Sequence, residues 1–195
     1  MCGIGALINL STKKSVKRKE EVINSVTNML VALEPRGVHA TGICAIHKNS
    51  TEIFKQPIKA SKFIQTEKFH EFMNKNWNAK LFLLHDRHYT HGNPKFNYNN
   101  HPLESKNYIL IHNGVIRDYR FGSVLDQIFD SSVIDTKVET DSYFILRVAE
   151  YLGVEYIPSI TGTNCSMIYD KNLSLIHISE PTRLGMISYA VFCLK

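Results

Sequence analysis

The spacing of apolar residues along the chain predicts short strands separated by helices. Residues 3–10 form a short, largely apolar segment, which is typical of a buried strand. In the next segment, 18–33, apolar side chains recur at helical spacing, at Val22, Val26, Met29, Leu30 and Leu33. Pro35 follows and cannot continue a helix. The chain is therefore expected to begin with a strand and an amphipathic helix.

The same criteria assign the rest of the chain to strands, helices and one long loop. We predict strands at 41–47, 52–55, 80–85, 108–114 and 165–169, the fourth ending in an Asn-Gly turn, and helices at 61–74 and 139–152. The segment 91–102 is rich in Gly, Pro and Asn and is expected to be a loop. Groups of short strands between helices favour an α+β domain over a parallel doubly wound sheet.

Composition narrows the class of protein. The chain has 195 residues, of which 44% are hydrophobic and 21% charged, so it is long and apolar enough for one globular domain with a real core. No apolar run approaches the ~20 residues of a membrane span, and no signal-peptide cleavage pattern follows the apolar start. The four cysteines show no CxxC pairing. We expect a cytoplasmic protein with reduced thiols and no membrane partner.

A formal net charge of +5 raises the question of nucleic acid. The only dense basic run, KKSVKRKEE, ends in two glutamates and contains no aromatic residue for base stacking. It is better explained as the solvated start of a helix, so no nucleic-acid partner is expected.

Residues 173–195 match the translation of a DNA sequencing-library adapter. A transposon end encodes LSLIHI, its extension encodes SEPTR, and a primer site after a short index encodes ISYAVFCLK. The alternative is an ordinary strand, because LSLIHIS has high β-propensity. We expect 2–172 to be the native domain, incomplete at its C-terminus, and 173–195 to be foreign.

Cys2 is the first residue with distinctive chemistry. Once Met1 is removed, a cysteine at this position carries a thiol and a free α-amine, whose pKa of about 8 lets it act as a base. The alternative is a small apolar side chain at the start of a buried strand. Cys2 alone does not decide between them.

Further motifs follow in a fixed order: RGVHATGI at 36–43, HDRHYTHGNPKFNYNNHP at 85–102, HNG at 112–114 and ETD at 139–141. With MCGIGAL at the start, this set resembles the class II glutamine amidotransferase domain of the N-terminal nucleophile hydrolases. The loop after His85 is most similar to that of the glutamine–fructose-6-phosphate aminotransferases. The resemblance covers 2–172 and implies a four-layer αββα fold with two antiparallel sheets.

The resemblance also implies roles for individual residues. Cys2 is the nucleophile, Asn113 and Gly114 bind the oxyanion, Arg87 binds the substrate carboxylate and Asp141 its ammonium group. Thr90 and His91 line the pocket, while Arg36, Gly37 and Gly42 are structural. The implied substrate is glutamine. Its ammonia passes to an acceptor domain outside this sequence, and the acceptor substrate could be fructose 6-phosphate; no metal or organic cofactor is expected.

Two departures and two alternatives stay open. His88 stands where the family usually has an aromatic Trp or Tyr, and Asp118 stands where it usually has Asn. One alternative is a metal-binding hydrolase, since the chain offers imidazoles at His85, His88, His91, His101 and His112. The other is a non-catalytic domain of the same fold. No functional role is assigned between Asp118 and Glu139.

Overall fold

The structure is a computed structural model that describes residues 1–11, 14–128, 134–135, 137–173, 175–179 and 189–194. The chain forms two compact units. Of the described residues, the first unit contains 1–88, 100–102 and the strand 189–194. The second unit contains 89–99 and those between 103 and 179. None of the described helices is long and apolar enough to cross a membrane.

The first unit is built on a five-stranded sheet in the order β3-β2-β4-β1-β9. Its strands are β1 (Gly3–Asn9), β2 (Ala40–Ile46), β3 (Thr51–Gln56), β4 (Leu81–Arg87) and β9 (Tyr189–Leu194). The first four strands pair antiparallel, and β9 lies parallel to β1. Its helices are α1 (Val16–Leu33), α2 (Ala60–Phe63) and α3 (Glu67–Asn76).

One face of this sheet forms the core of the first unit. Alternate residues of a strand share a face, so Leu7, Ile43 and Leu84 point to the same side. They belong to a buried cluster with the apolar stripe of α1, which includes Val26 and Leu30. The helical spacing found in the sequence is thus the face that α1 buries against the sheet.

The second unit contains the sheet β5-β6-β7-β8, in which all neighbours are antiparallel. Its strands are β5 (Leu103–Glu104), β6 (Tyr108–Ile116), β7 (Gly162–Asp170) and β8 (Leu175–Ser179), and its helices are α4 (Gly122–Ile128) and α5 (Tyr143–Tyr151). Leu110 and Ile168 from the sheet pack with Phe144 and Ile145 of α5 in its core. Sheet and helix in each unit confirm the predicted α+β class.

Three predicted elements differ from the structure. The helix predicted at 61–74 is divided into α2 and α3, because Thr66 accepts a hydrogen bond from the N–H of Phe69 and caps a new helix. The helix predicted at 139–152 begins only at Tyr143. The turn predicted at Asn113-Gly114 is wrong, since β6 continues to Ile116 and remains paired with β7.

The segment 173–195 contains the strands β8 and β9. LSLIHIS favours a strand by its composition whatever its origin. The adapter origin of this segment therefore stays a prediction, as does the limit of the native domain at residue 172.

Candidate active site

Cys2 lies at the beginning of β1 in the first unit, half-buried. Its Sγ contacts the main chain of His88: the His88 N–H donates to Sγ at 3.4 Å, and Sγ lies 3.4 Å from the His88 carbonyl oxygen. A main-chain N–H directed at sulfur favours the thiolate over the thiol. The carbonyl oxygen, which accepts from the thiol, favours the protonated form, so the main chain of His88 can hold Cys2 in either state.

Arg36 fixes the main chain of Cys2. It ends the short 3₁₀ turn Glu34–Arg36 after α1, and its Nε donates to the Cys2 carbonyl oxygen at 3.1 Å. Gly37 follows, and a Cβ there would come within 2.2 Å of the Asp86 carbonyl oxygen. These contacts support the structural roles expected for Arg36 and Gly37. Gly42 also permits a close approach, with a Cβ position 2.0 Å from the His101 carbonyl oxygen.

Arg87 is the last residue of β4 and is 3% exposed. Its Nη1 donates to Oδ1 of Asn100 at 2.7 Å. The guanidinium is therefore held in position by a side chain of the same unit, and the next residue, His88, contacts the sulfur of Cys2. Sequence reasoning did not identify Asn100, although it lies in the Asn-rich loop.

His88 stands at the first of the two positions that depart from the family pattern. It is exposed, and its ring lies edge-on to the ring of His39, with ring centroids 4.9 Å apart. Burial, the charge of the N-terminus and His39 lower the pKa of His88. Its imidazole is therefore mainly neutral at pH 7. The imidazole at the departure from the family pattern thus packs against His39, while the main chain of His88 contacts Cys2.

Asn113 and Gly114 lie side by side in β6, in the second unit, opposite Cys165 and Asn164 of β7. Asn113 is mostly buried. A Cβ at position 114 would approach the Thr163 carbonyl oxygen to 1.9 Å, so only glycine fits there. The glycine of the HNG motif is explained by this close approach to β7, and not by a hairpin turn.

Asp141 lies two residues before α5 and is 2% exposed. Its Oδ2 accepts a hydrogen bond from the Ile116 N–H at 2.8 Å, at the end of β6. Its Oδ1 lies 3.8 Å from Nδ1 of His91, and that nitrogen lies 3.3 Å from the Thr90 hydroxyl. The structure therefore brings Thr90, His91 and Asp141 together in the second unit.

Asp86 is a buried acid that sequence reasoning missed. It lies in β4 opposite Gly3 of β1 and Thr41 of β2, and it is 0% exposed. Neither carboxyl oxygen has a hydrogen-bond partner of ordinary geometry in the described part of the chain. Burial raises the pKa of Asp86 to about 8; the Thr41 hydroxyl lowers it and the charge of Glu34 raises it further. A charged residue in the apolar run LFLLHD was the available signal.

The histidines considered as metal ligands lie in different surroundings. His85 is buried and stacks on His101, with ring centroids 4.1 Å apart and 17° between the planes. His88 contacts His39, whereas His91 lies near Asp141 in the second unit. Among the residues that the structure describes, no group of three or more His, Cys, Asp or Glu side chains could hold a metal ion. The geometry gives the metal-binding alternative no support.

Two curated relatives of this chain, from different bacteria, carry the same name. The chain is 34% identical over 119 residues to the glutamine–fructose-6-phosphate aminotransferase (isomerizing) of Helicobacter pylori, a match that covers 61% of this chain and 18% of that protein. It is 28% identical over 181 residues to the enzyme of the same name from Staphylococcus aureus, covering 91% of this chain and 26% of the relative. No family model matches the chain.

Solved structures agree on the fold. The chain superposes on the glutamine phosphoribosylpyrophosphate amidotransferase of B. subtilis with a TM-score of 0.59 at 16% identity, over 87% of this chain and 35% of that one. A second structure, described as the allosteric regulatory enzyme of purine biosynthesis, gives 0.56 at 15% identity, over 88% and 36%. At such identities the likeness concerns the fold alone.

The chain thus resembles glutamine amidotransferases in sequence and in fold. The comparisons bear out the predicted resemblance, the enzyme class and the N-terminal nucleophile fold. The matched part spans only 18% and 26% of the two aminotransferases named above.

The second departure, Asp118, has a hydrogen-bond partner of its own in the second unit. Its carboxylate accepts hydrogen bonds from the N–H and the hydroxyl of Thr161, and these bonds lower the pKa of Asp118. Asp118 therefore connects the segment after β6 to the residue before β7. Residues 129–133 and 136, in the part for which no role was assigned, lie outside the described residues.

Proposed function

We propose that this domain hydrolyses glutamine to glutamate and ammonia with Cys2 as the nucleophile. The observation that carries the proposal is the hydrogen bond from the His88 N–H to the Cys2 sulfur. Arg36 adds support because it holds the carbonyl of the same cysteine. A half-buried thiol held at an N–H donor is more consistent with a nucleophile than with a core side chain, which the sequence alone could not decide.

The reaction begins when Met1, which is 59% exposed, is removed and the α-amine of Cys2 becomes free. The amine accepts the thiol proton, and the thiolate attacks the side-chain amide carbon of glutamine. The C–N bond breaks as the amine returns the proton to the leaving nitrogen, which departs as ammonia and leaves a γ-glutamyl thioester. Water then attacks the thioester carbon and gives a proton to the amine. The C–S bond breaks, the amine returns this proton to the sulfur, and glutamate and the free thiol are released.

Each other residue has a role that its chemistry suits. Asn113 and the N–H of Gly114 are donors for the oxyanion, where loss of one donor typically costs ~10²–10³ in rate. Arg87 takes the α-carboxylate of glutamine, because a planar guanidinium can bind it in bidentate fashion. Asp141 takes the α-ammonium group, with Thr90 and His91 beside it. The buried and hydrogen-bonded state of Arg87 and Asp141 supports these roles over surface ion pairing.

We further propose that the ammonia is used by an acceptor domain that this sequence does not contain. The matched part is 18% and 26% of the length of the two aminotransferases, so these proteins are about four to six times as long as that part. Their names describe transfer to fructose 6-phosphate, which is the acceptor we propose.

The test is mass spectrometry of the purified chain after exposure to a diazo-ketone analogue of glutamine. We expect the mass to lack Met1 and to carry one adduct, on Cys2. Cys2→Ala should abolish the adduct, whereas the control Cys44→Ala should keep it, because Cys44 is fully buried. Retention of Met1, or labelling unaffected by Cys2→Ala, would overturn the mechanism.

A further inference from the structure

We propose that His112 and Ser142 act as a positioning pair that holds Asp141 in place for the α-ammonium group of glutamine. The inference rests on the proposed function, because Asp141 has that task only if glutamine is the substrate. Neither residue is proposed to touch the substrate, since His112 is 1% exposed and Ser142 5%.

The pair connects the start of α5 to the sheet. Nδ1 of His112, in β6, lies 2.8 Å from the Ser142 hydroxyl, and Nε2 lies 3.4 Å from the Thr163 carbonyl oxygen. A carbonyl can only accept, so the tautomer that fits both contacts carries its proton on Nε2. Ser142 then donates its hydroxyl proton to Nδ1.

This arrangement requires a neutral imidazole. Burial lowers the pKa of His112, although the neighbouring Asp141 carboxylate and the Thr163 carbonyl act in the opposite direction. A neutral ring keeps Nδ1 as the acceptor that the Ser142 hydroxyl needs.

The Ser142 hydroxyl is not needed to cap α5. Ser142 has helical φ and ψ of −56° and −27°, and its side chain makes no capping bond. The first N–H groups of α5, from Tyr143, Phe144 and Ile145, donate to the carbonyl oxygens of Thr140, Asp141 and Ser142. The hydroxyl is therefore available for His112.

The consequence concerns Asp141, the residue before Ser142. Its carboxylate is bound to the Ile116 N–H, and the next residue is bound to His112, so β6 holds this corner at two points. Loss of the Ser142 hydroxyl removes one of them. Glutamine binding should weaken, while groups that act on the reacting amide should be affected little.

The test compares Ser142→Ala with Ser142→Thr and with the matched control Ser166→Ala. Ser166 lies opposite His112 in β7 and is 1% exposed, but its hydroxyl has no hydrogen-bond partner in the described part of the chain. We expect Ser142→Ala to raise KM for glutamine roughly three- to tenfold with kcat nearly unchanged, the pattern of lost ground-state binding. Ser142→Thr should restore KM, and Ser166→Ala should not alter it.

A second readout does not depend on activity. Because Asp141 accepts from the Ile116 N–H, hydrogen exchange of that amide should be roughly tenfold faster in Ser142→Ala than in the wild type or in Ser166→Ala. Unchanged KM and unchanged Ile116 exchange in Ser142→Ala, or equal changes in Ser166→Ala, would refute the positioning role. If the wild-type chain releases no ammonia, the proposed function fails, whereas the exchange measurement still decides whether the pair holds Asp141.

Discussion

Replacing Asp86 with asparagine should stabilise the first unit at neutral pH and remove a pH dependence from it. Burial raises the pKa of Asp86 to about 8, whereas an unfolded chain has an aspartate pKa of about 3.9. Between these values the unfolded state has lost a proton that the folded state keeps. Stability therefore falls as pH rises through this window, and it is constant below and above it.

The size of the effect follows from the two pKa values. They differ by about 4 units, and each unit corresponds to about 1.36 kcal/mol, so the acid disfavours the folded state by about 5 kcal/mol at pH 8 relative to pH 4. Asparagine has no charge to lose. The buried amide has a cost of its own, but that cost does not depend on pH and cancels when the slopes are compared.

The assay is urea unfolding of Asp86→Asn and wild type from pH 4 to pH 9. The single tryptophan, Trp77, lies in the same unit as Asp86 and reports its unfolding by fluorescence. The difference in free energy of unfolding should grow in favour of the variant between pH 4 and 8 and then level off. Glu52→Gln, in the same unit, is the control of opposite sign: the hydrogen bond from Lys75 lowers the pKa of Glu52, so with the series extended below pH 4.5 its contribution is lost as pH falls. Parallel curves for wild type and Asp86→Asn between pH 5 and 8 would refute the reasoning.

Two further predictions concern the site and the end of the chain. Arg87→Lys should raise KM for glutamine at least about tenfold, because lysine cannot bind a carboxylate in bidentate fashion and also loses the fork that contacts Asn100; a KM equal to that of the wild type in steady-state assays would contradict the role of Arg87. If residues 173–195 are translated adapter, the gene sequenced directly from source DNA should diverge after the codon of Asn172; agreement through codon 195 would disprove that origin.

The periodicity of apolar residues was sufficient to predict the elements that bury one face. It gave a wrong prediction where a contact with a distant part of the chain decides the local structure. The spacing of α1 matches the face that packs on the sheet. Asn113-Gly114 favours a turn by local preference, yet nine paired positions between β6 and β7 keep it extended. The start of α5 is similarly set by tertiary contacts, since Asp141 binds the Ile116 N–H.

The candidate site shows the same division. The order of motifs led us to propose Cys2, Arg87 and Asp141, but no local pattern could show that the Cys2 sulfur contacts His88, a residue 86 positions away. Asn100 could not be predicted either, because its role is to accept a hydrogen bond from Arg87, and the sequence does not show that contact.

Strand alternation places Asp86 and Arg87, neighbours in the sequence, on opposite faces of β4, where their charges have different surroundings. Asp86 has the same parity as Phe82 and Leu84, which lie in the core cluster beneath α1, so it stands on the core face of the sheet. Arg87 has the opposite parity and finds an amide partner in Asn100. A charge on the core face must be neutralised by protonation, whereas a charge on the other face can be retained for a ligand. The arginine thus keeps its charge for the substrate carboxylate that we propose, whereas the aspartate beside it stays mainly protonated at neutral pH.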